Sequence, residues 1–248
     1  MGAIALTKDA VWVLQIDRQN RRNAVDSETA RSLTFMLREA DYTAHCRAVI
    51  LAGQGAWFCA GSDLKELAGK TEKEMAAVEE AKAQLARTIQ EVSLPVVAAV
   101  EGFALGGGVS IAASCDIVVS GRDARWHMPE VANGWLPPWG IQPVVERCGP
   151  TRARQVLWGA EPLDGTAALA AGLVDLVVEN GQARERAAQI ADRLASLPCV
   201  AVRSVKPYLR DPHPSTLSDH DRLASELFVT HCQTSQARET LAKFGPRS

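Results

Sequence analysis

The residues from Pro95 to Ser120, PVVAAVEGFALGGGVSIAASCDIVVS, constrain this chain more than any other stretch. A short apolar run, Val96 to Val100, is followed by a turn at Glu101-Gly102 and then by Gly106-Gly107-Gly108. Val109 to Ser114 reads as a helix, and Asp116 leads into a second apolar run, Ile117-Val118-Val119. A strand that passes through glycines into a helix leaves N–H groups unpaired at the helix start, all pointing one way. Glycines let another group come close to that backbone. Such a turn binds a phosphate, holds a developing oxyanion, or merely joins a strand to a helix. The spacing is not G-x-G-x-x-G with a later acid, and no G-K-[ST] is present, so dinucleotide and P-loop readings are weak.

The rest of the chain repeats the alternation. Val11 to Ile16 reads as a strand after a turn at Lys8-Asp9, and Arg18 to Asn23 as a polar loop. Asp26 or Ser27 caps a helix with apolar positions at Ala30, Leu33, Leu37 and Ala40. Arg47 to Ala52 is a second strand, Thr71 to Val92 a long helix by propensity, and Ala124 to Glu130 a short strand stopped by Pro129. Asn133 to Gly140 is an aromatic, proline-stiffened loop. Helices are expected over Thr151–Leu157 and Asp164–Ala171, the second closed by Gly172, and a last strand over Leu173–Val178. From Gln182 onward nearly everything reads as helix, with Ile190, Leu194 and Leu197 at helical spacing. This implies an α/β core over 1–181 and a helical C-terminal region over 182–248.

With 248 residues, 47% of them hydrophobic, the chain is large enough for one substantial core. The net charge of −2 gives no broad basic surface for nucleic acid. No apolar run is long enough to span a membrane, and the N-terminus lacks the pattern of a signal peptide. The six cysteines, Cys46, Cys59, Cys115, Cys148, Cys199 and Cys232, are scattered without C-x-x-C pairs. They read as reduced thiols of a cytoplasmic protein that holds no metal.

Several segments together resemble the crotonase (enoyl-CoA hydratase/isomerase) superfamily. They are Arg22-Asn23-Ala24-Val25, Phe58-Cys59-Ala60-Gly61-Ser62-Asp63-Leu64, the Pro95–Gly108 stretch, Cys115-Asp116-Ile117, Pro129-Glu130 and Ala171-Gly172-Leu173-Val174-Asp175, in that order. The resemblance implies a spiral of strand–strand–helix turns, a C-terminal helical region, and homotrimers that sometimes pair into hexamers. It implies an acyl-CoA thioester as ligand, with coenzyme A part of the substrate and no separate cofactor. By position, the thioester oxygen would sit between the N–H groups of Ala60 and Gly107. Such donors stabilise enolate charge where it develops, and a helix start at Gly107 adds its dipole.

In hydratases of this family two glutamates flank a water. Here the second matches Glu130, while the first position is Ser110, a poor base without activation. A single glutamate is sufficient to take a proton and return it elsewhere, so double-bond isomerisation is expected over simple hydration. Glu101 matches a non-catalytic turn. The resemblance further assigns substrate contacts to Arg22, Ala24, Ser62, Asp63 and Leu64, and to Trp135 and Pro138 of the rebuilt loop. Trp135, Pro137, Pro138 and Trp139 either narrow an acyl pocket or fill core. His127 either faces the pocket or packs. Asp116 reads as ordering a turn. Arg21, Arg22 and Lys243 are candidates for coenzyme A phosphates, or solvated charges. Two function classes stay open: an acyl-CoA enzyme (isomerase, altered hydratase, decarboxylase or hydrolase), and a catalytically weak acyl-CoA-binding protein.

Overall fold

A computed structural model describes residues 2–159, 161–210 and 217–242. Strands β1 (Ala3–Lys8), β2 (Val11–Ile16), β3 (Ala48–Gly53), β4 (Val96–Val100), β6 (Ile117–Gly121) and β8 (Leu176–Val178) form one sheet in the order β1-β2-β3-β4-β6-β8. Only β1 and β2 pair antiparallel; every later pair is parallel. Strands β5 (Phe103–Leu105) and β7 (Arg125–His127) pair in a small second sheet. After β4 and β5 the chain enters helix α4 (Gly107–Ser114), and after β6 and β7 it enters α5 (Ile141–Trp158). These strand–strand–helix turns are the expected spiral. Strand β1 was not expected from the sequence. Helix α5 begins ten residues before the expected Thr151, because it runs through a kink at Gly149, ahead of Pro150.

Parallel strands buried on both faces read as unbroken apolar runs, and β3 is buried at every position. Side chains alternate across the sheet. Val49 and Leu51 join Val96, Ala98 and Val118 on one face, under α1 (Ser27–Tyr42) and α3 (Glu72–Glu91), which supply Leu33, Leu37, Leu85 and Ile89. Each such fully buried side chain contributes roughly 1.5–3 kcal/mol over exposure. Ala48, Ile50, Ala52, Val97, Ala99 and Val119 face the other way. There α7 (Ala183–Ser196) covers them with Ala183, Ala187 and Ala191. Four-residue spacing puts these alanines on one stripe, so the helix lies close to the strands.

Helix α7 therefore belongs to the packed core, although the sequence reading placed the boundary before it, at 181. Ile190 and Leu194, partly buried, pack on the same sheet. Helices α8 (Cys199–Arg210), α9 (Leu217–Cys232) and α10 (Ser235–Ala242) follow. Asp116 ties α8 down: its carboxylate accepts from Val96 N (2.7 Å) and from Lys206 Nζ (2.9 Å). Glu101 accepts from the N–H of Ala183 at 2.8 Å, a structural role. Among the described residues no helix is long and apolar enough to cross a membrane.

Candidate active site

The helix start at Gly107 opens into a cavity of about 740 Å³. Gly106, just before it, has φ 51° and ψ −121°, a conformation that side chains resist. A Cβ there would also lie 2.6 Å from Glu130 Oε1, so the Glu130 carboxylate rests directly against this backbone. Gly107 starts α4 and its N–H has no acceptor among the described residues. The same holds for the N–H of Ser62, whose nitrogen lies 3.4 Å from where a Cβ on Gly107 would sit. Two free donors thus stand side by side on the cavity wall.

The resemblance assigned one of these donors to Ala60, and the hydrogen bonding corrects it. The Ala60 N–H donates to the Arg22 carbonyl at 3.1 Å, and the Gly61 N–H points at Cys59 Sγ, 3.3 Å away. Ser62 is the residue of this segment whose donor stays free. The reason is the loop at Arg22 and Asn23, both at positive φ, which brings the Arg22 carbonyl onto Ala60. The Arg22 side chain is exposed and does not line the cavity.

Ala24 and Asp63 are also outside the wall. Ala24 is buried and its carbonyl accepts from Arg18. Asp63 pairs with Arg18 at 2.9 Å and caps the helical turn α2 (Leu64–Leu67) through Lys65 N. Both are positions of structure rather than of contact with a ligand in the cavity. Leu64, Trp135 and Pro138 do line it, with Leu67, Met75 and Leu136. Lys243 lies outside the described residues.

Glu130 is buried, and its Oε2 has no partner among the described residues. Burial pushes its carboxyl above the ordinary range; its own backbone N–H opposes the rise, and the negative charge of Glu79 adds to it. Ser110 does not reach the cavity, because Gly140 closes over it. A Cβ on Gly140 would lie 2.7 Å from Ser110 Oγ, which is buried and unpaired among the described residues. His127 faces a separate cavity beside Val109, Trp126 and Arg152, so it is no substitute base. Burial, aided by Arg125, lowers its affinity for a proton. Cys59 is no nucleophile either: burial pushes its thiol to about 12.

Sequence reading missed Glu79, which lines the cavity from α3. Its Oε1 accepts from Lys82 Nζ at 2.9 Å, and its Oε2 from Trp139 Nε1 at 2.6 Å and Ser62 Oγ at 3.3 Å. A signal was present. Lys82 falls on the apolar stripe Val78, Lys82, Leu85, Ile89, and a lysine there needs a carboxylate within reach. Trp139 packs beside Gly107, where a Cβ would meet its Cζ2 at 2.7 Å.

Comparison with known proteins gives the family and the fold. Residues 7–247 match the family described as enoyl-CoA hydratase/isomerase. The chain is 32% identical to the short-chain-enoyl-CoA hydratase of Clostridium acetobutylicum, over 98% of this chain and 95% of that one. It is 30% identical to the 2,3-dehydroadipyl-CoA hydratase of Escherichia coli, over 97% and 94%. The crystal structure of an enoyl-CoA hydratase from Bacillus anthracis superposes with a TM-score of 0.91 at 26% identity, covering 98% of this chain and 96% of that one. This chain is a member of the enoyl-CoA hydratase/isomerase family, an acyl-CoA enzyme with the crotonase fold.

Proposed function

We propose that the chain binds an acyl-CoA with its thioester oxygen at the Ser62 and Gly107 N–H groups and moves a proton with Glu130. One observation carries this reading: two N–H donors without acceptors and a carboxyl with an unpaired oxygen share one largely apolar cavity. Loss of a proton from the carbon next to a thioester puts charge on the thioester oxygen. Fixed donors hold that charge as it develops, each worth roughly 3–4 kcal/mol. With a 3-enoyl thioester, Glu130 takes the α proton, the dienolate rests on the two donors, and Glu130 returns the proton to the γ carbon. The double bond moves and no water is consumed. A carboxyl whose proton affinity is raised suits both halves of that cycle.

Hydration needs a water held between two groups. Ser110 is sealed behind Gly140 and the oxygens of Glu79 are already engaged, so addition of water is expected to be slow. Coenzyme A enters as part of the substrate and no other cofactor is called for. The test is a panel of 2-enoyl and 3-enoyl thioesters with wild type and Glu130→Gln. Migration is expected to outpace hydration, and Glu130→Gln to lower turnover about 100- to 10,000-fold while keeping binding. Full activity in Glu130→Gln, or hydration as fast as in a two-glutamate hydratase, would sink the reading.

The indole beside Gly107 favours a second reading, an acyl-CoA-binding protein with little turnover. Binding without reaction across the panel would establish it. Six free thiols support a cytoplasmic setting. Assembly as a trimer or hexamer is supported by exposed apolar residues on α8 and α9: Val200, Val205, Leu209, Phe228 and Val229. Sedimentation at micromolar concentration is expected to give that mass; a monomer would count against it.

A further inference from the structure

The cavity wall carries a charged device that takes no part in the proton transfer described above. The Lys82 side chain is 0% exposed, and its ammonium lies 2.9 Å from Glu79 Oε1 and 3.6 Å from Glu66 Oε2. A buried lysine is tolerated only when its charge is met in this way. Glu66 is itself held by the N–H and hydroxyl of Ser27. Glu66, Lys82 and Glu79 together keep one net negative charge. That charge reaches the cavity at Glu79, since Lys82 is not on the wall.

The other oxygen of Glu79 takes the Trp139 indole N–H and the Ser62 hydroxyl. These are the two residues that frame Gly107: Ser62 holds the neighbouring N–H, and the Trp139 ring packs against the glycine. Ser62 lies in the segment after β3 and Trp139 in the loop before α5, and one carboxylate on α3 fastens both. Because its oxygens are spent on an ammonium, an indole and a hydroxyl, Glu79 does not compete with Glu130 for the proton-transfer role. Among the described residues, Glu79 and Glu130 are the only charged side chains on the wall, and no cation faces the cavity.

We propose that Glu79 is a positioning and specificity-determining residue that fixes Ser62 and Trp139 around Gly107 and restricts the cavity to acyl groups without a negative charge. This rests on the reading of the cavity as an acyl-CoA site. A second carboxylate at the end of an acyl chain would meet two like charges in a space lined by Leu64, Leu67, Met75 and Leu136, with no partner to receive it.

The experiment uses the full chain and a matched pair of six-carbon probes, 2-hexenoyl-CoA and 2,3-dehydroadipyl-CoA. Dissociation constants are measured for both, so the result does not depend on which reaction is catalysed. Wild type is expected to favour the neutral probe by tenfold or more, about what one unrelieved like charge gives in a partly wet cavity. Glu79→Gln, which keeps the acceptor for the Trp139 N–H and removes the charge, is expected to narrow that preference several-fold. It should also move the acidic limb of the turnover profile with 3-hexenoyl-CoA to lower pH. Burial raises the proton affinity of Glu130, and the negative charge of Glu79 on the same wall adds to that rise. Trp139→Phe leaves the charge in place and should leave the limb where it is. A merely structural Glu79 would move neither the preference nor the limb.

If Glu79→Gln does not fold, Leu136→Lys supplies a cation at an exposed wall position and is expected to reverse the preference toward the carboxylated probe. Equal binding of the two probes by wild type, or an unchanged preference in both Glu79→Gln and Leu136→Lys, overturns the proposal. Failure of both probes to bind at all overturns the acyl-CoA reading instead.

Discussion

The α3 wall and the β7 wall each bring one carboxylate to the same cavity, and they present them on different terms. Glu79 stands on a twenty-residue helix begun by a capping box at Thr71 and Glu74. Three donors fill its oxygens. Glu130 follows Pro129 at the end of a three-residue strand and lies against the bare backbone of Gly106. No donor side chain reaches its Oε2 among the described residues. A carboxylate tied to an ammonium and an indole is a fixed charge; a buried one with a free oxygen is a group that gains and loses protons. Nearness to the cavity does not separate the two duties. The donors around each carboxylate do.

That contrast breaks most sharply at Glu130. Glu130→Gln is expected to cost the most, about 100- to 10,000-fold in turnover, whereas Glu79→Gln is expected to retain far more. Equal losses in the two variants would erase the distinction. Next comes Gly107→Val. Its side chain would meet the indole ring, displacing Trp139 and with it the fastening to Glu79. A loss of about 100- to 1,000-fold is expected, the size of removing one oxyanion donor. Acyl-CoA binding and circular dichroism of that variant separate an obstructed site from a lost fold. The smallest effect is expected at Ser110→Ala. A buried hydroxyl without a partner is removed, so melting should rise or hold, by about 1 kcal/mol at most, and turnover should stay within about twofold. A large loss of turnover would return Ser110 to the chemistry.

Much of the frame was legible because it depends on local pattern. Ala48–Gly53 and Val96–Val100 read as strands since burial on both faces demands unbroken apolar runs. Asp26 announced α1 through the side-chain cap it forms, and the composition of Thr71–Val92 announced α3 by helix propensity. Strand β5 escaped notice because its three residues are held by distant partners, β7 about twenty residues later and Cys59 about forty-five residues earlier. The site was legible as far as side chains carry it: Glu130, Gly106 and Gly107, all named by the resemblance, line one cavity. Its donors were not, because every residue but proline has an N–H, and only the course of the Arg22 loop decides that Ala60 spends its own and Ser62 does not. Glu79 was lost among the many charges of α3: Lys82 on the apolar stripe signals a carboxylate partner, but the bond that ties Glu79 to the cavity comes from a tryptophan sixty residues further on.

The alanine stripe of α7 has a consequence for how the protein is made. It covers one face of the main sheet from β2 to β8, and it is translated after every strand of that sheet. Until residue 196 has left the ribosome, Val11, Ile50, Val97 and Val119 lack the helix that covers them. A nascent chain stalled near residue 181 would already hold every residue that lines the cavity in the finished fold, its glycines and both carboxylates among them. It would also show an oily sheet face to whatever chaperone or neighbouring chain arrives first.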